Sequence, residues 1–180
     1  MASGKGEVVR ILKKHGLQYI SLSDIVHREA AKIKPAINRS QMQDLGNRLR
    51  LEGGAGILGK MVRELIEAAE PSSWVIDGIR NPAEVTELKK MDRFFLVGIE
   101  SGVETILERM KKRGRATDSV GVAELRAALD REWGLGEPEG GQQVGPTMAM
   151  ADFIIANSGS LPELETGLDA VLIKIGVMHG

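Results

Sequence analysis

Four short runs of this chain are apolar with little or no polar alternation, and together with the residues just after them they constrain the fold most. They are 17–21 (LQYIS), 74–77 (WVID), 94–99 (FFLVGI) and 153–156 (FIIA). A strand with one wet face alternates polar and apolar residues, whereas a strand covered on both faces does not need to. The last three runs are each succeeded by a helix-start signature: Asn81-Pro82-Ala83-Glu84, Ser101-Gly102-Val103-Glu104 and Ser160-Leu161-Pro162-Glu163. Each puts a capping side chain three residues before an acid, and Pro stands at a helix start in two of them. Further helical patterns cover 23–32, 40–51 and 57–69, the last two separated by EGGAG. Buried strands alternating with capped helices predict an α/β fold: a parallel sheet with helices on both faces, in three layers α/β/α. At 180 residues, 42% hydrophobic and 27% charged, the chain can bury a core of that kind as one domain spanning 1–180.

Composition removes several classes of function. The formal net charge of −1 gives no general attraction to nucleic acid or to an anionic membrane. With two Trp, one Tyr and three Phe there is little from which to build a stacking platform for single strands. The absence of Cys rules out disulfides, thiolate metal sites and a Cys nucleophile. No apolar run has membrane-spanning length and no secretory signal pattern opens the chain. The expectation is a cytoplasmic protein with a small-molecule partner, no membrane and no nucleic acid, its oligomeric state open. His15, His27 and His179 are scattered without metal spacing, and no Ser/His/Asp arrangement is visible.

The first residues pose a specific problem. Val8, Val9, Ile11 and Leu12 obey helical spacing, and Lys13, Lys14 and His15 stand before Gly16 as a cationic helix end with a glycine stop. Lys5, flanked by Gly4 and Gly6, sits at the opposite end, where a cation opposes the partial charge of the helix. An anion held by backbone N–H groups and the ammonium explains this placement. A Gly-rich tail with a solvated Lys explains it equally simply. In open parallel sheets such phosphate loops come after a strand, and here no strand precedes residues 2–6.

Other chemistry collects at strand ends. Asp77, closing the WVID strand, can hold Mg²⁺ or its waters. Gly78 permits a tight turn, and Arg80 can fork onto a phosphate. Arg109 and Arg113 share a helix face. Arg28 and Arg39 add further cations, and Arg39 and Gln43 lie at a loop-to-helix junction suited to a substrate contact. A solvated basic helix end accounts for the same cations without a ligand. Residues 114–151 interrupt the strand–helix rhythm with one helix, 122–133, and the Gly-rich GLGEPEGGQQVG, which marks a candidate lid.

The segments ASGKGE, SLSDIV, VIDGIRNPAEV, ERMKKRGR and ADFIIANSGSLPEL, in this order, resemble the P-loop nucleoside- and nucleotide-monophosphate kinase superfamily. The GKG form is similar to adenylate kinases and the ADFIIANSGSLPEL tail to dephospho-coenzyme A kinases. The resemblance implies an ATP- and Mg²⁺-dependent phosphotransferase acting on a nucleoside monophosphate or similar acceptor. Dephospho-coenzyme A kinase-like activity and a non-catalytic nucleotide-binding module are the alternatives. It also implies roles. Lys5 and the amides of Ser3, Gly4, Gly6 and Glu7 would hold the β- and γ-phosphates. Asp77 would act on Mg²⁺ through water. Asp24, Arg28, Arg39, Gln43 and Arg80 would line the acceptor side, within a helical region 23–70. Arg109 would lie over the base or phosphates of ATP, Arg113 would lead into the lid, and Asn157 and Ser160 would approach the adenine. Lys5, Arg80, Arg109 and Arg113 would supply the charge neutralisation that phosphoryl transfer requires. Two departures stand out: Gly6 replaces the hydroxyl residue of many P-loops, and His27, with Arg28 beside it, stands where adenylate kinases place an acceptor-binding Arg. The resemblance further predicts that the sheet lacks its first strand and that the chain is truncated at its start.

Overall fold

The computed structural model describes residues 4–33, 39–113, 122–136 and 138–178. Ser3 lies outside the described residues, as does the first part of the candidate lid. For Arg39, Gln43 and Arg113 only the backbone is described.

The strands are β1 (Gln18–Ser21), β2 (Trp74–Asp77), β3 (Val97–Glu100) and β4 (Phe153–Ala156). β1 pairs with β2 and β3 with β4, both parallel, with Ser21 opposite Asp77 and Glu100 opposite Ala156. The sheet is therefore present as two two-stranded ladders, and β2 and β3 are not hydrogen-bonded to each other. Between them lies a cavity of about 490 Å³, lined by β2 on one side and by Leu96, Val97 and Ile99 on the other.

The helices are α1 (Lys5–Lys14), α2 (Leu22–Ile33), α3 (Arg39–Gly53), α4 (Ile57–Glu67), α5 (Pro82–Leu88), α6 (Val103–Arg113), α7 (Val122–Trp133), α8 (Val144–Ala149) and α9 (Leu161–Lys174). Two groups of them, α2 to α5 and α1 with α9, close opposite faces of the strands. Ile20 joins α2, α3, α4 and α5 in a core that includes Ile25, Leu58, Val62 and Leu88, with Ile76 packed against it. On the other face Val8, Ile11 and Leu12 of α1 meet Ile155 and the Leu164, Leu168 and Leu172 stripe of α9, with Val75 packed there. Val75 and Ile76 are neighbours in β2 that serve opposite cores, as the period of two requires. This is the three-layer α/β/α arrangement.

Beyond shifts of a residue or two at several ends, the structure departs from the expectation at β3, α6 and α8. The strand expected at 94–99 begins at Val97, because β4 supplies no ladder partner before Phe153. Instead the Leu96 N–H donates to the Asp152 carboxylate at 2.7 Å. The helix after β3 starts at Val103 rather than on a Ser101 cap, its first bond accepted by the Gly102 carbonyl from Ile106. Helix α8 is hidden in the sequence by its Gly-rich surroundings, and Gly145 within it exists because Trp133 occupies the space a Cβ would need.

Candidate functional site

The site begins at the amino end of α1. Gly4 adopts φ +90°, a left-handed conformation that side chains resist. Its carbonyl accepts from the N–H groups of Glu7 at 2.9 Å and Val8 at 3.2 Å. No side chain of the described residues caps this end. The N–H groups of the first turn are thus without a side-chain acceptor among the described residues. Gly4 is also pressed against the neighbouring loop, since a Cβ there would overlap the Asn157 side-chain nitrogen. Lys5 and Gly6 are exposed, and a Cβ at Gly6 would meet nothing within 4 Å. One side of the helix end is therefore sealed and the other open. Glu7 is turned along the helix to Arg10, with 2.8 Å between them.

Asn157, the residue after β4, forms the sealed side. It is 4% exposed, and its N–H extends the ladder to Glu100 at 2.7 Å. Arg109 reaches across from α6: Nη2 donates to Asn157 Oδ1 at 3.2 Å, and Nη1 to Ser101 Oγ at 3.3 Å. Ser101 Oγ in turn donates to the Asn157 carbonyl at 2.8 Å. The guanidinium thereby lies over the carboxyl ends of β3 and β4, its Nη1 3.8 Å from where a Gly4 Cβ would be. Ser101 gave no signal in the sequence beyond its place before a helix. Ser160 is exposed and serves α9: its hydroxyl accepts from the Glu163 N–H, and Glu163 bonds back to its backbone N–H at 2.6 Å. Those bonds, from the backbone and then the hydroxyl, hold the Glu163 carboxyl below its ordinary range.

Asp77 closes β2 on the open side, and it and Lys5 line the same cavity. Its Oδ1 accepts from the Gly78 N–H at 2.7 Å, a turn that Gly78 makes at φ +81°. Burial, and after it the charge of Asp77, pushes the Tyr19 phenol up from its ordinary value. In the adjacent strand end, Ser21 and Asp24 cap α2 reciprocally: the Ser21 N–H donates to Asp24 Oδ2 at 2.9 Å, and Ser21 Oγ accepts from the Asp24 N–H at 3.1 Å. The SLSD segment is thus a helix-capping device at the mouth of the site. Arg28 lies exposed further along α2.

Arg80 and Asn81 tie the end of β2 to the Gly-rich region. Arg80 Nη1 donates to Gln142 Oε1 at 2.9 Å, and Asn81 Nδ2 donates to the carbonyls of Glu139 at 2.8 Å and Gly141 at 3.0 Å. Beneath them lies a group that sequence inspection missed. Glu84, fully buried, takes Arg50 Nη2 at 2.8 Å and Nε at 3.1 Å on one oxygen. Its other oxygen accepts the backbone N–H groups of Arg80 at 2.9 Å and Asn81 at 3.1 Å. Glu84 was visible only as the acid of a capping box; nothing in the sequence marked Arg50, 34 residues away, as its partner.

No cluster of three or more His, Cys, Asp or Glu able to hold a metal occurs among the described residues. No described helix is long and apolar enough to cross a membrane.

Comparison with known proteins places the chain in a family. Residues 2–126 match the family model described as an AAA domain. A UPF0200 protein of Sulfurisphaera tokodaii is 31% identical over 96% of this chain and 92% of its own length. A UPF0200 protein of Methanoculleus marisnigri is 30% identical over 97% of this chain and 92% of its own. Among solved structures, TT1252 from Thermus thermophilus superposes with a TM-score of 0.62 at 16% identity, covering 97% of this chain and 93% of that one, a likeness of fold. With a glycine at the start of α1, beside the carboxyl ends of parallel strands, the chain belongs to this AAA-domain family, within the P-loop kinase-like superfamily.

Proposed function

We propose that the protein is an ATP-dependent phosphotransferase acting on a nucleoside monophosphate or a similarly small, phosphate-bearing acceptor. The observation that carries this is the amino end of α1: a helix terminus without a side-chain cap among the described residues, open at Gly6, carrying Lys5, and sealed behind by Asn157 and Arg109. Anions bind where helix N–H groups and a cation converge. Gly4 lets the backbone take the turn, Lys5 offsets charge on the terminal phosphates, and Arg109 neutralises charge from above the strand ends. Arg113 lies one helical turn beyond Arg109 and leads into the lid region 114–151. Arg80 and Asp24 border the acceptor side, to which Arg28, Arg39 and Gln43 of the helical region 23–70 also belong.

Mg²⁺ usually binds proteins through one or two carboxylates, with phosphate oxygens and water completing the octahedron. A single acid, Asp77, beside the cavity that Lys5 also lines, fits that mode. Bound there, the ion would offset charge on the transferred phosphoryl group. A second reading, a nucleotide-binding module without catalysis, is favoured by the open cavity behind Lys5, which leaves the sheet beneath the site in two pieces.

The test is ADP formation from ATP and Mg²⁺ across a panel of nucleoside monophosphates and dephospho-coenzyme A. Acceptor-dependent ADP that falls on the order of 10²-fold or more in Lys5→Ala is expected, the size of effect typical for loss of one charge-stabilising group. ATP binding without turnover on any acceptor would leave the binding module. No ATP binding by folded protein would end both readings.

A further inference from the structure

We propose that Glu84 is the positioning residue for Arg80: it fixes the main chain from which this cation reaches the acceptor's phosphate, while Arg50 neutralises its buried charge. The inference rests on the phosphotransferase reading for the role of Arg80, and it names a residue which that reading does not use.

The molecule contains its own control. Two helices start on the same motif, a capping box with Pro in the first turn and Glu at its third position: α5 with Asn81 and Glu84, and α9 with Ser160 and Glu163. At α9 the Glu163 carboxyl is exposed and bonds back to the N–H and hydroxyl of Ser160. A cap therefore needs neither burial nor a cation. Glu84 has both. It is 0% exposed, and Arg50, itself buried, reaches it from α3 with Nε and Nη2 on one oxygen. A buried ion pair gives no general gain in stability over apolar residues of similar volume, and a cap alone does not call for one. The additional donor at Glu84 is the N–H of Arg80, one residue before the cap, on the oxygen that also accepts from Asn81.

That bond removes freedom from the base of Arg80. Gly78, two residues earlier, turns at φ +81°, and a glycine restricts the backbone least. Beyond it Arg80 is held at both main-chain groups: its N–H donates to Glu84 at 2.9 Å, and its carbonyl accepts from the Gln143 N–H at 2.7 Å. Asn81, also buried, fastens the same turn to the carbonyls of Glu139 and Gly141. The base of Arg80 and the neighbouring segment 139–143 thus share one buried anchor. A cation that must meet a phosphate in a single geometry needs such an anchor, because a misplacement of ~1 Å is enough to cost on the order of 10²-fold in rate.

The experiment breaks the Arg50–Glu84 pair from each side in turn. Arg50→Met and Glu84→Gln each leave one buried partner without the other, so both should lower Tm to a similar extent. Only the second should disturb Arg80. In Arg50→Met the Glu84 carboxyl keeps an oxygen for the two N–H groups. In Glu84→Gln the charged Arg50 takes the amide oxygen, which turns the amide NH2 onto the N–H groups of Arg80 and Asn81. Adding Arg50→Met to Glu84→Gln releases that oxygen and should restore both bonds. The probe is inorganic phosphate, titrated at a temperature where every form is folded and followed by NMR at the Arg80 Nε–H, so that phosphate at the start of α1 does not enter the reading. Wild type and Arg50→Met should share one Kd, Glu84→Gln should bind on the order of tenfold more weakly, and the double variant should return close to wild type. Amide exchange at Arg80 and Asn81 should follow the same order. Should Glu84→Gln alone not fold, Arg50→Met with Glu84→Leu takes its place: it offers the N–H groups no oxygen and should show the same loss. Equal weakening in Arg50→Met and Glu84→Gln overturns the proposal and leaves Glu84 a structural residue. An unchanged Kd in Glu84→Gln overturns it too, as does an Arg80 that does not respond to phosphate in wild type. With an acceptor that turns over, its KM should rise in Glu84→Gln while the Kd for ATP stays constant. If no acceptor yields ADP and the phosphate constants still split as expected, the phosphotransferase reading falls and the positioning of Arg80 stands.

Discussion

The two halves of this molecule handle buried polarity in opposite ways. On the β1–β2 side, a fully buried carboxylate, Glu84, takes four donors from Arg50 and from the backbone of Arg80 and Asn81, none longer than 3.1 Å. Around it Val62, Val85 and Leu88 are all 0% exposed. On the β3–β4 side, Arg109 is held by longer bonds, of 3.2 to 3.5 Å, to Ser101, Asn157 and Gly159, next to an exposed helix end. The first half is organised to be static, with the buried charge matched. The second holds its cation by longer bonds, as the proposed role of meeting an incoming anion asks.

The sharpest way to break this contrast is to remove the matched charge. In Glu84→Gln the amide nitrogen must face either Arg50 or the two backbone N–H groups, and the buried guanidinium loses its counter-charge. Breaking a buried pair from one side costs ~3–5 kcal/mol, which for a chain of this size lowers Tm by about 10 °C or more. Glu7→Gln removes the exposed pair to Arg10, on the side of the cation held by longer bonds, and should cost at most ~0.5 kcal/mol. Urea titrations of the two variants measure the difference. Equal losses would show that the two halves do not differ as described.

The next effect lies at the helix end. Gly4→Ala incurs left-handed backbone strain of ~1–2 kcal/mol and also displaces Asn157, so Arg109 loses its seat. Gly16→Ala shares the strain, at φ +82°, but a Cβ there meets nothing within 4 Å. The two variants thus separate strain from contact. Gly4→Ala should be less stable than Gly16→Ala, and it alone should lose ATP binding in a fluorescence titration. Matching stabilities and matching binding would detach Asn157 from the site.

How much the sequence disclosed depends on the range of each interaction. The strand runs at 74–77 and 153–156 and the caps at Asn81 and Ser160 appear where residue pattern placed them, because burial period and capping are local. The start of α1 at Gly4 and Lys5 is local in the same way. Arg50 with Glu84, Asn81 with Glu139, and Ser101 with Asn157 join residues far apart in the chain, and a single sequence carries no sign of such pairs. The start of β3 was misplaced at Phe94 because apolarity marks burial, not pairing, and pairing depends on where β4 begins.

Gly6 offers a smaller, opposite effect. The open space beside it accepts a hydroxymethyl group, and within a helix Ser exceeds Gly by ~0.5 kcal/mol in propensity. Gly6→Ser should therefore raise the urea midpoint slightly. On the proposed function it should also strengthen the Mg²⁺-dependent part of ATP binding several-fold, since a hydroxyl there would offer a further oxygen ligand. A loss of stability would place something in that space.

The smallest effect compares two acids at helix surfaces, one from each half. The Glu87 carboxyl is held below its ordinary value first by the hydrogen bond from Lys90 and then by the charges of Lys90, Arg63 and Lys60, against an opposing effect of burial smaller than that hydrogen bond. The Glu163 carboxyl is lowered by uncharged donors, the backbone and hydroxyl of Ser160. Both folded-state values lie below the unfolded ones. Each contribution is therefore complete above the ordinary value of 4.5 and is lost as pH falls through the lowered value. Salt separates them. At ~1 M the screening length falls to ~3 Å, so the charge-driven shift of Glu87 should shrink while that of Glu163 persists. Carboxyl chemical shifts tracked from neutral pH to about pH 3 at low and high salt report both at once. Ser160→Ala should move Glu163 part of the way back, because the backbone donor remains. Should Glu163 respond to salt as strongly as Glu87, charge rather than hydrogen bonding would govern the start of α9, and the difference between the halves would not extend to their surfaces.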